Sequence, residues 1–143
     1  MREKMMKKKI MIVDDEPDIR YTIKDDLEDL YGAECEIFDA DGGERCLEFL
    51  KNDQIPDIIL LDIMMPGMSG WELYDKIKDN SLWKRIPIVF LTARTDDVAK
   101  DAGILLGNDY IEKPFDAKDL RIRIDKALEK TSRKKGFFGR FHR

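Results

Sequence analysis

Five short apolar runs, each followed by a segment patterned like a helix, constrain this chain more than any other feature of its sequence. The runs cover residues 10–13 (IMIV), 34–38 (ECEIF), 57–61 (DIILL), 86–91 (IPIVFL) and 109–111 (DYI). The first, third and fourth are continuous and apolar, as central strands covered on both faces must be. The second alternates and the fifth is short, which suits sheet edges. Between and after the runs, Ile19, Ile23, Leu27 and Leu30 line one helical face behind Pro17, a residue suited to a first helical turn. Cys46, Leu47 and Leu50 mark a second helix, Leu73 and Ile77 a third, residues 96–105 a fourth. Leu120, Ile124, Ala127 and Leu128 mark a fifth, opened by a capping-type Asp116.

Strict alternation of buried strands and helices predicts an α/β fold, a doubly wound parallel sheet with helices on both faces. Five such strands commonly take the flavodoxin-like order 2-1-3-4-5. Its switch point lies between strands 1 and 3, and ligands bind beyond the carboxyl ends of those strands. The residues there are Asp14 and Asp15 after the first run and Asp62 after the third. A buried, unpaired carboxylate costs several kcal/mol, so three converging acids need a partner.

The 143 residues are one domain's worth of chain, and no apolar run approaches the length of a membrane span. Cys35 and Cys46 form no metal-type spacing and read as reduced thiols, which with the missing signal-peptide core points to the cytoplasm. The net charge of -4 conceals two basic ends: residues 10–130 hold 16 basic and 29 acidic groups, a net of -13. A body so acidic repels phosphate backbones, so no nucleic-acid partner is expected.

A hard divalent cation resolves the repulsion, because Mg²⁺ takes oxygen ligands and keeps several waters. The metal then equips the crevice to receive a phosphoryl group. The fourth strand ends in LTA, bringing the Thr92 hydroxyl to the same rim, and EKPF brings Lys113, followed by Pro114. The Lys113–Pro114 bond is a cis-peptide candidate. Carboxylate, hydroxyl and ammonium together describe a site where Asp62 is the nucleophile and an acyl phosphate the product. Taken singly, these residues read otherwise: Asp14 or Asp15 as a helix cap, Thr92 as a β-branched strand residue, Lys113 as a solvated lysine, Tyr110 as edge packing. Their joint placement decides against that for the set, with the cap of the first helix still expected from one of Asp14 and Asp15.

VDDE, LLDIMMPGMSG, LTA and EKPF stand in the order and spacing of a response-regulator receiver domain, the phosphoacceptor module of two-component signalling, which residues 8–130 resemble. The resemblance, to a stand-alone chemotaxis-type receiver, implies that Asp62 is phosphorylated from a sensor histidine kinase or histidine phosphotransfer protein. It implies Mg²⁺ held by Asp15 directly, by Asp14 mostly through water, by Asp62, and by the Met64 backbone carbonyl. It further implies that Thr92 turns toward the phosphoryl group and Tyr110 follows it inward, reshaping the surface made by the fourth helix, fifth strand and fifth helix for a downstream protein. Met64 and Arg94 occupy variable places beside the site, where their bulk is expected to slow the water that removes the phosphoryl group. Leu106 stands where the family usually has glycine, with Gly107 one place later, so helix 4 is expected to end differently.

The tail, residues 131–143, divides between a disordered basic terminus and a short element in which Phe137, Phe138 and Phe141 share a face among basic residues. The second form would touch an anionic membrane or an acidic partner. No DNA-binding-sized remainder follows, so the expectation is a receiver without an output domain and not an enzyme of turnover. Two other classes compete. A Mg²⁺-dependent aspartyl phosphohydrolase needs a general acid near its nucleophile, where Met64 stands. A flavodoxin-like nucleotide binder needs a phosphate loop where DDEPD stands.

Overall fold

The computed structural model describes the backbone of residues 7–93 and 109–141 and the side chains of residues 7–92 and 109–130. Five parallel strands, β1 (Lys8–Val13), β2 (Cys35–Ala40), β3 (Ile58–Asp62), β4 (Ile88–Ala93) and β5 (Asp109–Lys113), form one sheet in the order β2-β1-β3-β4-β5. That is the order expected. The expected fourth helix, Arg94, Leu106, Gly107 and the side chains of the tail lie outside the described residues.

The pleat sorts the core into two layers. Met11 and Val13 of β1, Ile59 and Leu61 of β3 and Ile88 and Phe90 of β4 face one side. There they meet Cys46 and Leu50 of α2 (Gly43–Lys51) and Leu73 and Ile77 of α3 (Gly70–Lys78). Ile10, Ile12, Ile58, Leu60, Val89 and Leu91 face the other side. They pack on Ile23 and Leu27 of α1 (Pro17–Tyr31) and on Leu120 and Ile124 of the C-terminal helix (Ala117–Phe141). Both layers are dry because alternate residues of β1 and β3 are apolar on each face.

Three strands run further than their apolar stretches. The ladder carries β3 to Asp62, β4 to Ala93 and β5 to Lys113, because backbone hydrogen bonds continue after the apolar side chains stop. The helix cap is a correction. Neither Asp14 nor Asp15 caps α1: its N-cap is Glu16, with no side-chain cap bond. The Asp14 carboxylate instead accepts the Glu16 N–H at 2.9 Å, tying the turn rather than the helix. At the C-terminal helix, Asp116 and Asp119 exchange backbone-to-side-chain bonds of 2.9 and 3.3 Å, a reciprocal cap. That helix continues to Phe141. Among the described residues no helix is long and apolar enough to cross a membrane. Both cysteines are free, and burial pushes the Cys46 thiol up to about 12.

Candidate functional site

Adjacent strands β1 and β3 pair with Val13 opposite Leu61, so the next residue on each, Asp14 and Asp62, emerges at the same corner. With Asp15 they form a cluster in which one carboxylate oxygen from each residue lies within 4.8 Å of the others. Asp14 is fully buried and Asp62 is 5 % exposed. Strand β5 contributes the counter-charge: the Lys113 ammonium lies 3.2 Å from Asp14 Oδ2 and 3.6 Å from Asp62 Oδ1. The Lys113–Pro114 peptide bond is cis.

Every polar group of Asp14 is engaged. Its N–H donates to the Ala40 carbonyl at 3.2 Å, continuing the β1–β2 ladder. Its Oδ1 accepts from Glu16 N–H, its Oδ2 from Lys113, and its carbonyl oxygen from Arg20 Nη1 at 2.8 Å. By contrast, no hydrogen bond or ion pair among the described residues engages the Asp15 carboxylate, which remains available to a ligand.

Electrostatics single out Asp62. Burial, then the neighbouring Asp14 charge, push its carboxyl up to about 6, with Asp15 adding to the rise. Lys113 and a hydrogen bond from the Met64 backbone N–H pull the other way without cancelling it. Burial disfavours the Lys113 ammonium, yet Asp62 and Asp14 outweigh that and raise its pKa above the usual lysine value. Among the described residues one ammonium faces three carboxylates, which leaves excess negative charge, an arrangement suited to a cation.

The turn after β3 is built around close approach. Gly70 N–H donates to the Ile63 carbonyl at 2.8 Å, and a Cβ on Gly70 would collide with the Asp62 carbonyl and lie 2.7 Å from Ile63 Cα. Ser69 and Glu72 form a reciprocal capping box that starts α3 there. Met64 projects outward, 69 % exposed.

Thr92 follows Leu91, the register partner of Asp62, and is buried. Among the described residues its hydroxyl is a buried polar atom without a hydrogen-bond partner, an uncommon state that invites explanation. Tyr110 is half-buried against the layer containing Phe90. The structure thus brings Asp14, Asp15, Asp62 and Lys113 together. Arg20 escaped the sequence reading; the signal for it was its place one turn after Glu16, on the helix that leaves the acidic pair.

Residues 10–125 match the model of the response regulator receiver domain. The chain is 41% identical over 128 residues to the phosphate regulon transcriptional regulatory protein PhoB of Pseudomonas aeruginosa, covering 89% of this chain and 54% of that one. It is 38% identical over 133 residues to histidine kinase P4 of Formosa agariphila, covering 92% of this chain and 9% of that one. It therefore spans about half the length, or far less, of these curated relatives. A CheY-like response regulator receiver domain protein from Methanospirillum hungatei superposes with a TM-score of 0.68 at 42% identity, covering 87% of this chain and 94% of that one. The chain therefore belongs to the response regulator receiver domains of two-component systems.

Proposed function

We propose that this chain is a signalling phosphoacceptor: Asp62 takes a phosphoryl group from a phosphohistidine on a sensor histidine kinase or histidine phosphotransfer protein. The observation that carries this reading is the buried Asp62 carboxylate, held beside two further acids and a single ammonium at one corner of the sheet. A carboxylate oxygen of Asp62 bonds to phosphorus as the phosphorus–nitrogen bond breaks. The imidazole leaves with the bonding electrons and takes up a proton.

The donor set fits Mg²⁺, a hard cation that favours carboxylate and carbonyl oxygens. Asp15, whose carboxylate no described residue engages, would hold it directly. Asp14, with both carboxylate oxygens occupied, would do so through water, and Asp62 with the Met64 backbone carbonyl would complete the set. When bound, the cation neutralises phosphoryl oxygens. Lys113 then pairs with one phosphoryl oxygen, and the orphan Thr92 hydroxyl supplies a hydrogen bond to another. Turning Thr92 opens room into which Tyr110 moves, altering the surface of β5 and the C-terminal helix for a downstream protein. This unit is residues 8–130, with residues 131–143 as a basic and aromatic tail that carries the last helix on to Phe141, and it works in the cytoplasm. Met64 supplies no general acid beside Asp62, which favours holding the phosphoryl group over turnover of phosphomonoesters.

The test is incubation with acetyl phosphate and Mg²⁺, comparing wild type with Asp62→Ala by intact mass. A labile phosphoryl adduct on wild type alone is expected. Its absence, or its persistence in the variant, overturns the reading.

A further inference from the structure

Arg20 is the one basic side chain of α1 bonded to both sides of the acidic turn. Its Nη1 donates to the Asp14 carbonyl at 2.8 Å and its Nε to Asp39 Oδ2 of β2 at 3.2 Å. Its side chain is 18% exposed, so most of it is lodged between strand and helix. The neighbouring Ala40 carbonyl accepts the Asp14 N–H, so the end of β2 holds both polar ends of residue 14. We infer that Arg20 is a positioning residue, clamping the Asp14–Asp15 peptide to the end of β2 so that the Asp15 carboxylate is aimed into the acidic corner before a divalent cation arrives.

The chemistry suits a clamp. A planar guanidinium satisfies two acceptors in fixed directions, which an ammonium on a flexible stem does not. Fixing the carbonyl of residue 14 fixes the peptide plane that it shares with residue 15, and hence the direction in which Asp15 leaves the chain. Groups that orient metal ligands without touching the metal typically contribute about 10–100-fold in affinity.

The sign of the effect separates this role from a simple charge effect. A guanidinium acting only through space repels a divalent cation, so its removal would tighten binding. A clamp predicts the reverse. The inference rests on the proposed cation site, and its test is Mg²⁺ titration by calorimetry of wild type, Arg20→Gln, Arg20→Lys, Asp39→Asn and Asp15→Asn, each first checked by thermal melting in chelator. Expected are a loss of about tenfold for Arg20→Gln, a similar loss for Arg20→Lys despite its retained charge, and a smaller loss for Asp39→Asn. In the Asp15→Asn background, Arg20→Gln should add nothing, which a merely destabilised fold would not produce. Wild-type protein that binds no Mg²⁺ overturns the site and the clamp with it. Wild type that binds, beside folded Arg20 variants that bind as tightly or more tightly, overturns the clamp alone. Should Arg20→Gln not fold, Arg20→Lys, which keeps the charge and loses the planar fork, decides on the same criterion.

Discussion

The Lys113 ammonium stands 3.6 Å from the Asp62 carboxylate across the end of the sheet, joining the last residue of β5 to the last residue of β3. It reaches Asp14 as well, so one positive charge is divided between two buried acids, while among the described residues Asp15 has none. The consequence is a site incomplete in charge. Protein freed of divalent ions by chelator is expected to gain thermal stability on adding Mg²⁺, by about 1.4 kcal/mol for each tenfold excess over the dissociation constant. Asp15→Asn should lose most of that gain, as calorimetric melts with and without Mg²⁺ will report.

Asp62 also imposes a pH dependence. Its carboxyl, pushed up to about 6, keeps its proton where the unfolded chain has already released it. The folded state therefore binds more protons between roughly pH 4 and 6, so stability falls as pH rises through that window and is level above it. Asp62→Asn should abolish this slope and, in chelator at pH 7.5, be more stable than wild type by about 2–3 kcal/mol, each pKa unit being worth about 1.4 kcal/mol. The two proteins should converge near pH 4 in urea titrations.

Gly70→Ala reverses the usual benefit of alanine in a helix. The added methyl meets the Asp62 carbonyl and the Ile63 backbone, neither of which can yield as a flexible side chain would. A loss of about 3 kcal/mol is expected in urea unfolding, with slower phosphoryl uptake because the strain falls on Asp62.

The exposed Met64 side chain follows Asp62 by two residues, and its apolar bulk is expected to hinder water approaching that carboxylate. Met64→Asn supplies a polar group able to orient that water. Phosphorylated Met64→Asn is expected to lose its label severalfold faster than wild type, measured by the decay of the intact-mass adduct. An unchanged half-life would remove Met64 from this role.

Tyr31 lies at the other end of the sheet, where its hydroxyl donates to Asp125 at 2.7 Å and fastens α1 to the C-terminal helix. Burial, reinforced by that bond, raises the phenol above its ordinary pKa. Tyr31→Phe should cost about 1–2 kcal/mol and leave phosphoryl uptake unaltered, since the bond is remote from Asp62. Melting curves paired with acetyl phosphate labelling check both halves.

Much of this was legible because the relevant signals are periodic or lie at ends of runs. Continuous apolar stretches at 10–13 and 57–61 identify central strands, and central neighbouring strands bring Asp14 and Asp62 to one corner without any tertiary information. Strand ends were less legible. Lys113 belongs to its strand by backbone pairing alone, which side-chain hydropathy does not register. The helix cap failed for a related reason: Asp is a sound capping residue, but the Asp14 carboxylate is drawn to Glu16 N–H and Lys113 instead. Arg20 was hidden more deeply, because one of its acceptors is a backbone carbonyl and the other sits on a strand 19 positions away.

The alternation that sends Met11 and Val13 to one layer and Ile10 and Ile12 to the other also governs how this corner can change. Inserting or deleting one residue within β1 or β3 would turn the terminal acid to the opposite side of the sheet and expose its apolar neighbours together. Variation by single-residue steps is thus closed to the two middle strands and left to the loops that follow them. The reacting corner is inherited as a matter of odd and even.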